Sequence, residues 1–95
     1  MRLREAREAA CLSQRQLGID AGWEPSVASP RINQYERGKH TPDARTLARL
    51  GKLLDRPLAF FYCEDNALAS IIMAHHRANA TQRKQLLSLA MKIGG

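Results

Sequence analysis

The sequence predicts an all-α chain, and three observations carry that reading. No segment sustains an alternation of branched apolar and polar residues, so no strand is expected. Apolar residues instead recur at helical spacing, as in Leu47, Leu50 and Leu54. Caps and breakers such as Ser13, Gly22, Pro30, Gly38, Pro42 and Pro57 divide the chain into short pieces.

A first helix is expected over Met1–Ala10, with Leu3, Ala6 and Ala10 inward and Arg2, Arg4, Glu5 and Glu8 outward. Ser13 is a good N-cap for a second, and Gln16 stands at capping-box spacing from it. Leu17 and Ala21 form the inner stripe, and Gly22 can close the helix in a left-handed conformation. Pro25 and Pro30 both oppose helix before them, so residues 23–29 read as an elongated turn with room for a single helical turn at 26–28. Ser29-Pro30 then reads as N-cap and N1 of a third helix, which runs to about Arg37 and is closed by Gly38. Thr41-Pro42-Asp43 repeats that signature and opens a fourth, with Ala48 beside its leucine stripe. Arg56-Pro57 ends it, and Leu58, Phe60 and Phe61 make a short fifth. Glu64-Asp65-Asn66 looks like a boundary between residues 1–62 and a helical hairpin over 66–93. Asn66 caps the sixth helix and Thr81 the seventh, the latter bearing Leu86, Leu87, Leu89, Ala90 and Ile93.

Composition narrows the function. A charge of +6 over 95 residues favours polyanionic partners. Two distant cysteines without a C-x-x-C suggest a reducing compartment. No apolar run approaches the roughly 20 residues that span a bilayer, and the charged N-terminus lacks a signal core, so a cytoplasmic protein with no membrane association is expected. No nucleophile–base pair, phosphate loop or carboxylate dyad is visible, so no enzyme and no cofactor are expected. His75 and His76 are adjacent and point about 100° apart on a helix, and Cys63 has no nearby partner cysteine, so no metal is expected either.

Leu12-Ser13-Gln14, Leu17, Ala21-Gly22, Ile32, Glu36, Gly38, Pro42, Leu47 and Leu50 stand together at the spacings of a known motif. Over Met1–Phe61 the chain resembles the Cro/repressor class of helix-turn-helix domains, the xenobiotic-response-element type. The resemblance implies a five-helix lambda-repressor-like DNA-binding domain, here followed by the C-terminal helical hairpin. Two departures from the family pattern stand out: a shorter first helix, and a longer turn between Gly22 and the recognition helix. Gly18 occupies a position usually held by Ala and meets the need for a small residue where two helices cross.

With Ile32 anchored on the core, Ser29, Pro30, Asn33, Gln34 and Arg37 are left on the outer face of the third helix. Asn and Gln pair bidentately with adenine and Arg with guanine. Arg31, on the flank, reaches either a base or a phosphate. By resemblance, Gln14 and Arg15 sit where a helix start meets phosphate, Arg37, Lys39 and His40 act as backbone clamps, and Arg7 pairs with Glu36 to fix the recognition helix. Trp23 is expected to cover the core, and Phe60, Phe61 and Tyr62 to pack rather than stack on bases. Leu68, Ile71, Ile72, Leu86, Leu89 and Ile93 either fold back on their own domain or form a dimer interface. A single module buries only about 600–1,000 Å² on DNA, which favours a homodimer. The expected function is a sequence-specific regulator of double-stranded DNA, a repressor on a palindromic operator. Two alternatives are an antitoxin whose hairpin binds a toxin protein and an interaction adaptor that does not bind DNA.

Overall fold

Seven helices and no strand make up the protein in a computed structural model that describes residues 1–95. They are α1 (Leu3–Ala9), α2 (Gln14–Asp20), α3 (Pro25–Glu36), α4 (Ala44–Leu54), α5 (Leu58–Tyr62), α6 (Asn66–Arg77) and α7 (Ala80–Gly94). One apolar cluster joins the first five: Leu3 and Ala6, Leu17 and Ala21, Ile32, the stripe Leu47, Leu50 and Leu54, and Phe60 and Phe61. Ala69 is the sole fully buried contribution of α6 to that cluster, and α7 buries none of its residues. The molecule is accordingly elongated, 50 × 24 × 21 Å.

The third helix departs most from the sequence expectation. It begins at Pro25 with Glu24 in the N-cap position, five residues before Pro30, and Pro30 lies inside it. Ser29 is therefore mid-helix and not a cap. The physical reason lies outside the segment. Ala28 and Ile32, four residues apart, are both fully buried, and Ala28 sits directly on Gly18 of α2. A Cβ built on Gly18 would lie 2.5 Å from the Ala28 Cβ and 2.7 Å from its Cα. This close crossing holds the first turn of α3 in place against the cost of the bond that Pro30 cannot donate. The residues expected to lengthen the turn lengthen the helix instead. The turn itself is tight: Gly22 adopts φ +96°, and the amides of Gly22 and Trp23 donate to the carbonyls of Ile19 and Gly18 at 2.9 and 3.0 Å.

Smaller differences concern the caps. Helix α1 stops at Ala9, Cys11 turns the chain with φ 57°, and Ala10 is exposed. Ser13 Oγ accepts from the Gln16 amide at 2.9 Å as expected, but the Gln16 side chain goes to Asp20 and leaves the capping box half closed. Asp43, not Thr41, caps α4 by accepting from the Thr46 amide at 2.7 Å, and this bond holds its carboxyl below the usual range. Asp65 caps α6 in place of Asn66, whose side chain is engaged elsewhere. Asn79 caps α7 in place of Thr81, in a closed capping box with Gln82. The Arg83 guanidinium then seals the hairpin by donating to the carbonyls of His75 and His76 at the end of α6, both at 3.0 Å.

Candidate nucleic-acid interface

Ala28 and Ile32 fix the rotation of α3 about its axis. At 3.6 residues per turn the opposite face carries Ser26, Val27, Pro30 and Gln34, with Arg37 at the C-cap. All five are exposed. Pro30, Gln34 and Arg37 are among the residues singled out from the sequence. Ser26 and Val27 are not, because the two prolines that flank them favour a turn locally. The signal that could have found them is Pro25 itself, a helix-starting proline followed by Ala28 and Ile32 at i, i+4 spacing.

Ser29 and Asn33 lie on a flank, half-buried, and meet α2 there. Gln14 Oε1 accepts from Ser29 Oγ at 3.3 Å. Its Nε2 donates to Asn33 Oδ1 at 3.3 Å and to Glu36 Oε1 at 3.1 Å. The Gln14 side chain is thus committed to positioning α3. Glu36 also receives Arg7, Nε to Oε2 at 2.6 Å and Nη2 to Oε1 at 3.1 Å, while Arg7 Nη1 donates to the Leu12 carbonyl at 2.9 Å. The two side chains are 13% and 4% exposed, so the pair is largely removed from water. The bond to Glu36 raises the affinity of the Arg7 guanidinium for its proton. A continuous polar strut therefore ties α1 and α2 to one flank of α3.

The other flank is aromatic. Trp23 is half-buried against the core and meets Tyr35 edge-on at 6.1 Å between ring centroids. Arg31 lies over the Trp23 ring at 4.7 Å, a cation–π contact that directs it along this flank. Beyond α3 the chain reverses at Gly38, φ +74°. The amides of Lys39 and His40 both donate to the Gln34 carbonyl, at 2.9 and 3.3 Å. This ties an exposed basic loop to the end of the helix. Arg15 is exposed on α2. His75, His76 and Cys63 do not converge: His76 contacts Asp55 and the Cys63 thiol faces the Asp65 carbonyl. No helix is long and apolar enough to cross a membrane.

A short helix crossed tightly by a second, whose exposed face is held rigid from both flanks, defines a helix-turn-helix. The chain belongs to the helix-turn-helix domain family, which it matches over residues 1–59, and its type is the xenobiotic-response-element-like DNA-binding one. Among solved structures, the crystal structure of the transcriptional regulator BswR is similar over 96% of this chain and 90% of that chain. It shares 37% sequence identity, with a TM-score of 0.88. That likeness takes in the hairpin as well as the DNA-binding fold. No curated protein matches the chain.

Proposed function

We propose that the protein is a homodimeric, sequence-specific transcriptional regulator of the cytoplasm, a repressor on a palindromic operator. In this reading α3 enters the major groove. The observation that carries it is the exposed face of α3, with Ser26, Val27, Pro30, Gln34 and Arg37 presented by a helix locked at Glu36. Gln34 meets base edges, and Asn33 and Arg31 reach in from the two flanks. Ser29 and Gln14 support them. Arg15, Lys39 and His40 contact phosphates on either side. The similarity to a transcriptional regulator supports the regulatory role. Occupying an operator excludes other proteins from the same stretch of groove, which is repression in its simplest form.

The hairpin supports the dimer. Leu68, Ile71, Leu89 and Ile93 are exposed, and Ile71, Ile72, Leu86, Leu89 and Ile93 line an open groove of about 970 Å³ beside α5. Residues 1–62 thus serve as the DNA-binding unit and 66–93 as the dimerisation element.

The test separates groove from backbone. Gln34→Ala should lose about 1–3 kcal/mol on a cognate duplex selected from a random pool and discriminate less at one base pair per half-site. Lys39→Ala should weaken all duplexes alike and lower the salt slope by about 0.9 for each phosphate it no longer neutralises. Titrations against cognate and scrambled duplexes at several salt concentrations measure both. Equal weakening of both duplexes by Gln34→Ala, together with changed base preference in Lys39→Ala, would overturn the assignment.

A further inference from the structure

Arg2 stands just before α1, and by helical periodicity it belongs to the solvent face. It is instead 13% exposed, and its whole guanidinium is engaged. Nε donates to the Cys63 carbonyl, and Nη2 donates to the Glu64 carbonyl at 3.0 Å and to Asn66 Oδ1 at 2.9 Å. Nη1 faces Glu5 at 3.3 Å, and the group lies 5.6 Å from the centroid of Phe60. Cys63, Glu64 and Asn66 form the junction between α5 and α6. A second polar contact joins the hairpin to the first five helices near the far end of α6, where His76 Nε2 meets Asp55 Oδ1 at 2.9 Å. Asp55 caps α4 in the left-handed region, φ 53°. The only fully buried residue of α6 is Ala69, between the two.

The apolar seat of α6 is narrow: Ala69 is its one fully buried residue, with Ile72 and Met73 only partly buried against the core, and a seat this small acts as a pivot. Two directional contacts, one at Asn66 and one ten residues on at His76, remove its freedom to tilt. We infer that Arg2, with the Asp55–His76 pair, sets the angle between hairpin and DNA-binding domain and thereby the operator half-site spacing that the dimer accepts. This inference rests on the reading of a homodimer joined through the hairpin. The lever is long enough to matter. A tilt of about 10° at α6 displaces a point about 20 Å away by about 3.5 Å, roughly one base-pair step, and each such step also rotates the half-site by about 35°. A rigid dimer cannot follow an inserted base pair, whereas a loosened one can. An Arg at this place is specific to the task, since its planar fork reaches several acceptors at once and a Lys would not.

The experiment uses the full chain and a duplex selected from a random pool, with its centre lengthened or shortened by one base pair. The parent should bind the selected spacing roughly tenfold or more tightly than either altered one, comparable to the cost of a mismatched base pair. Arg2→Ala should bring the three within about threefold, with dimerisation by sedimentation and affinity for an isolated half-site unchanged. Asn66→Ala removes one acceptor only and should shift the ratio part of the way, which keeps the test available should Arg2→Ala fold poorly. Asp55→Gly retains the left-handed backbone while deleting the second contact, and should also broaden spacing tolerance. A lower melting temperature with the parent's spacing ratio intact in all three variants would make these contacts merely structural and overturn the inference. A parent that is a dimer yet indifferent to spacing would overturn it too, whereas a parent that binds one half-site as a monomer would remove the homodimer reading beneath it.

Discussion

Glu36 holds three donors with two oxygens: Oε2 takes Arg7 Nε, and Oε1 takes Arg7 Nη2 and Gln14 Nε2. Glu36→Ala would leave the Arg7 guanidinium with the Leu12 carbonyl alone, in a largely dry position. The cost should be about 3 kcal/mol, the lower end for removing one partner of a buried pair, because Arg7 keeps some access to water. Denaturant unfolding measures it, and Glu36→Gln, which keeps an acceptor, should lose less. At Asp43 the structure makes a pH prediction. The Thr46 amide lowers the folded-state pKa of this N-cap below its ordinary value, so its contribution is present above the ordinary carboxylate range and is lost as pH falls through the folded value. Asp43→Asn caps about as well and carries no titrating proton. Thermal melts from neutral to acid pH should therefore coincide at neutrality and show a shallower acid decline for the variant. Arg7 and Glu36 are legible in the sequence through the family resemblance, and Ser13 through its local spacing. Arg2 is not, because helical periodicity describes only a residue's own helix and its partners lie 61–64 residues away.

At the scale of the element, α3 shows which rules are local and which are not. Its inner anchor Ile32 and its closure at Gly38 follow from the sequence. Its start does not, because two prolines and their neighbours argue locally for a turn while the seat of Ala28 on Gly18 is a contact between helices. Gly18→Ala tests that seat. Intrinsic propensity alone would favour Ala in a helix by roughly 1 kcal/mol. The new Cβ would meet the Ala28 Cβ at 2.5 Å, and overpacking of this kind costs about 1–3 kcal/mol. The clash should win, so Gly18→Ala should melt lower and bind DNA more weakly. Ala28→Gly added to it should recover part of the loss, as expected for two residues in direct contact. A melt of Gly18→Ala at or above the parent would show that the two helices are free to separate.

At the scale of the whole molecule, the order of helices and the division into a compact five-helix part and a hairpin are legible from turn chemistry and apolar periodicity. The use of the hairpin is not written in that pattern, since an apolar helix face reads the same whether it meets its own chain or another. Here α7 has no fully buried residue, Leu86 is half-buried, and Leu87, Leu89, Met91 and Ile93 are each more than half exposed. Of the apolar residues of α7, Leu86, Leu89 and Ile93 share one side and line the open groove with Ile71 and Ile72, the surface proposed above as the dimer interface. Glu at Leu86 and Leu89 should therefore give a chain that sediments as a monomer, stays folded, and binds DNA weakly. An unchanged dimer would move the interface elsewhere. The most direct test of the central claim, that two copies read DNA through α3, is selection of bound sequences from a random duplex pool by the intact protein. One palindromic sequence, with half-site centres about 34 Å apart along one face of the duplex, is the predicted result. Enrichment of no sequence, or of a single site without two-fold symmetry, would contradict it.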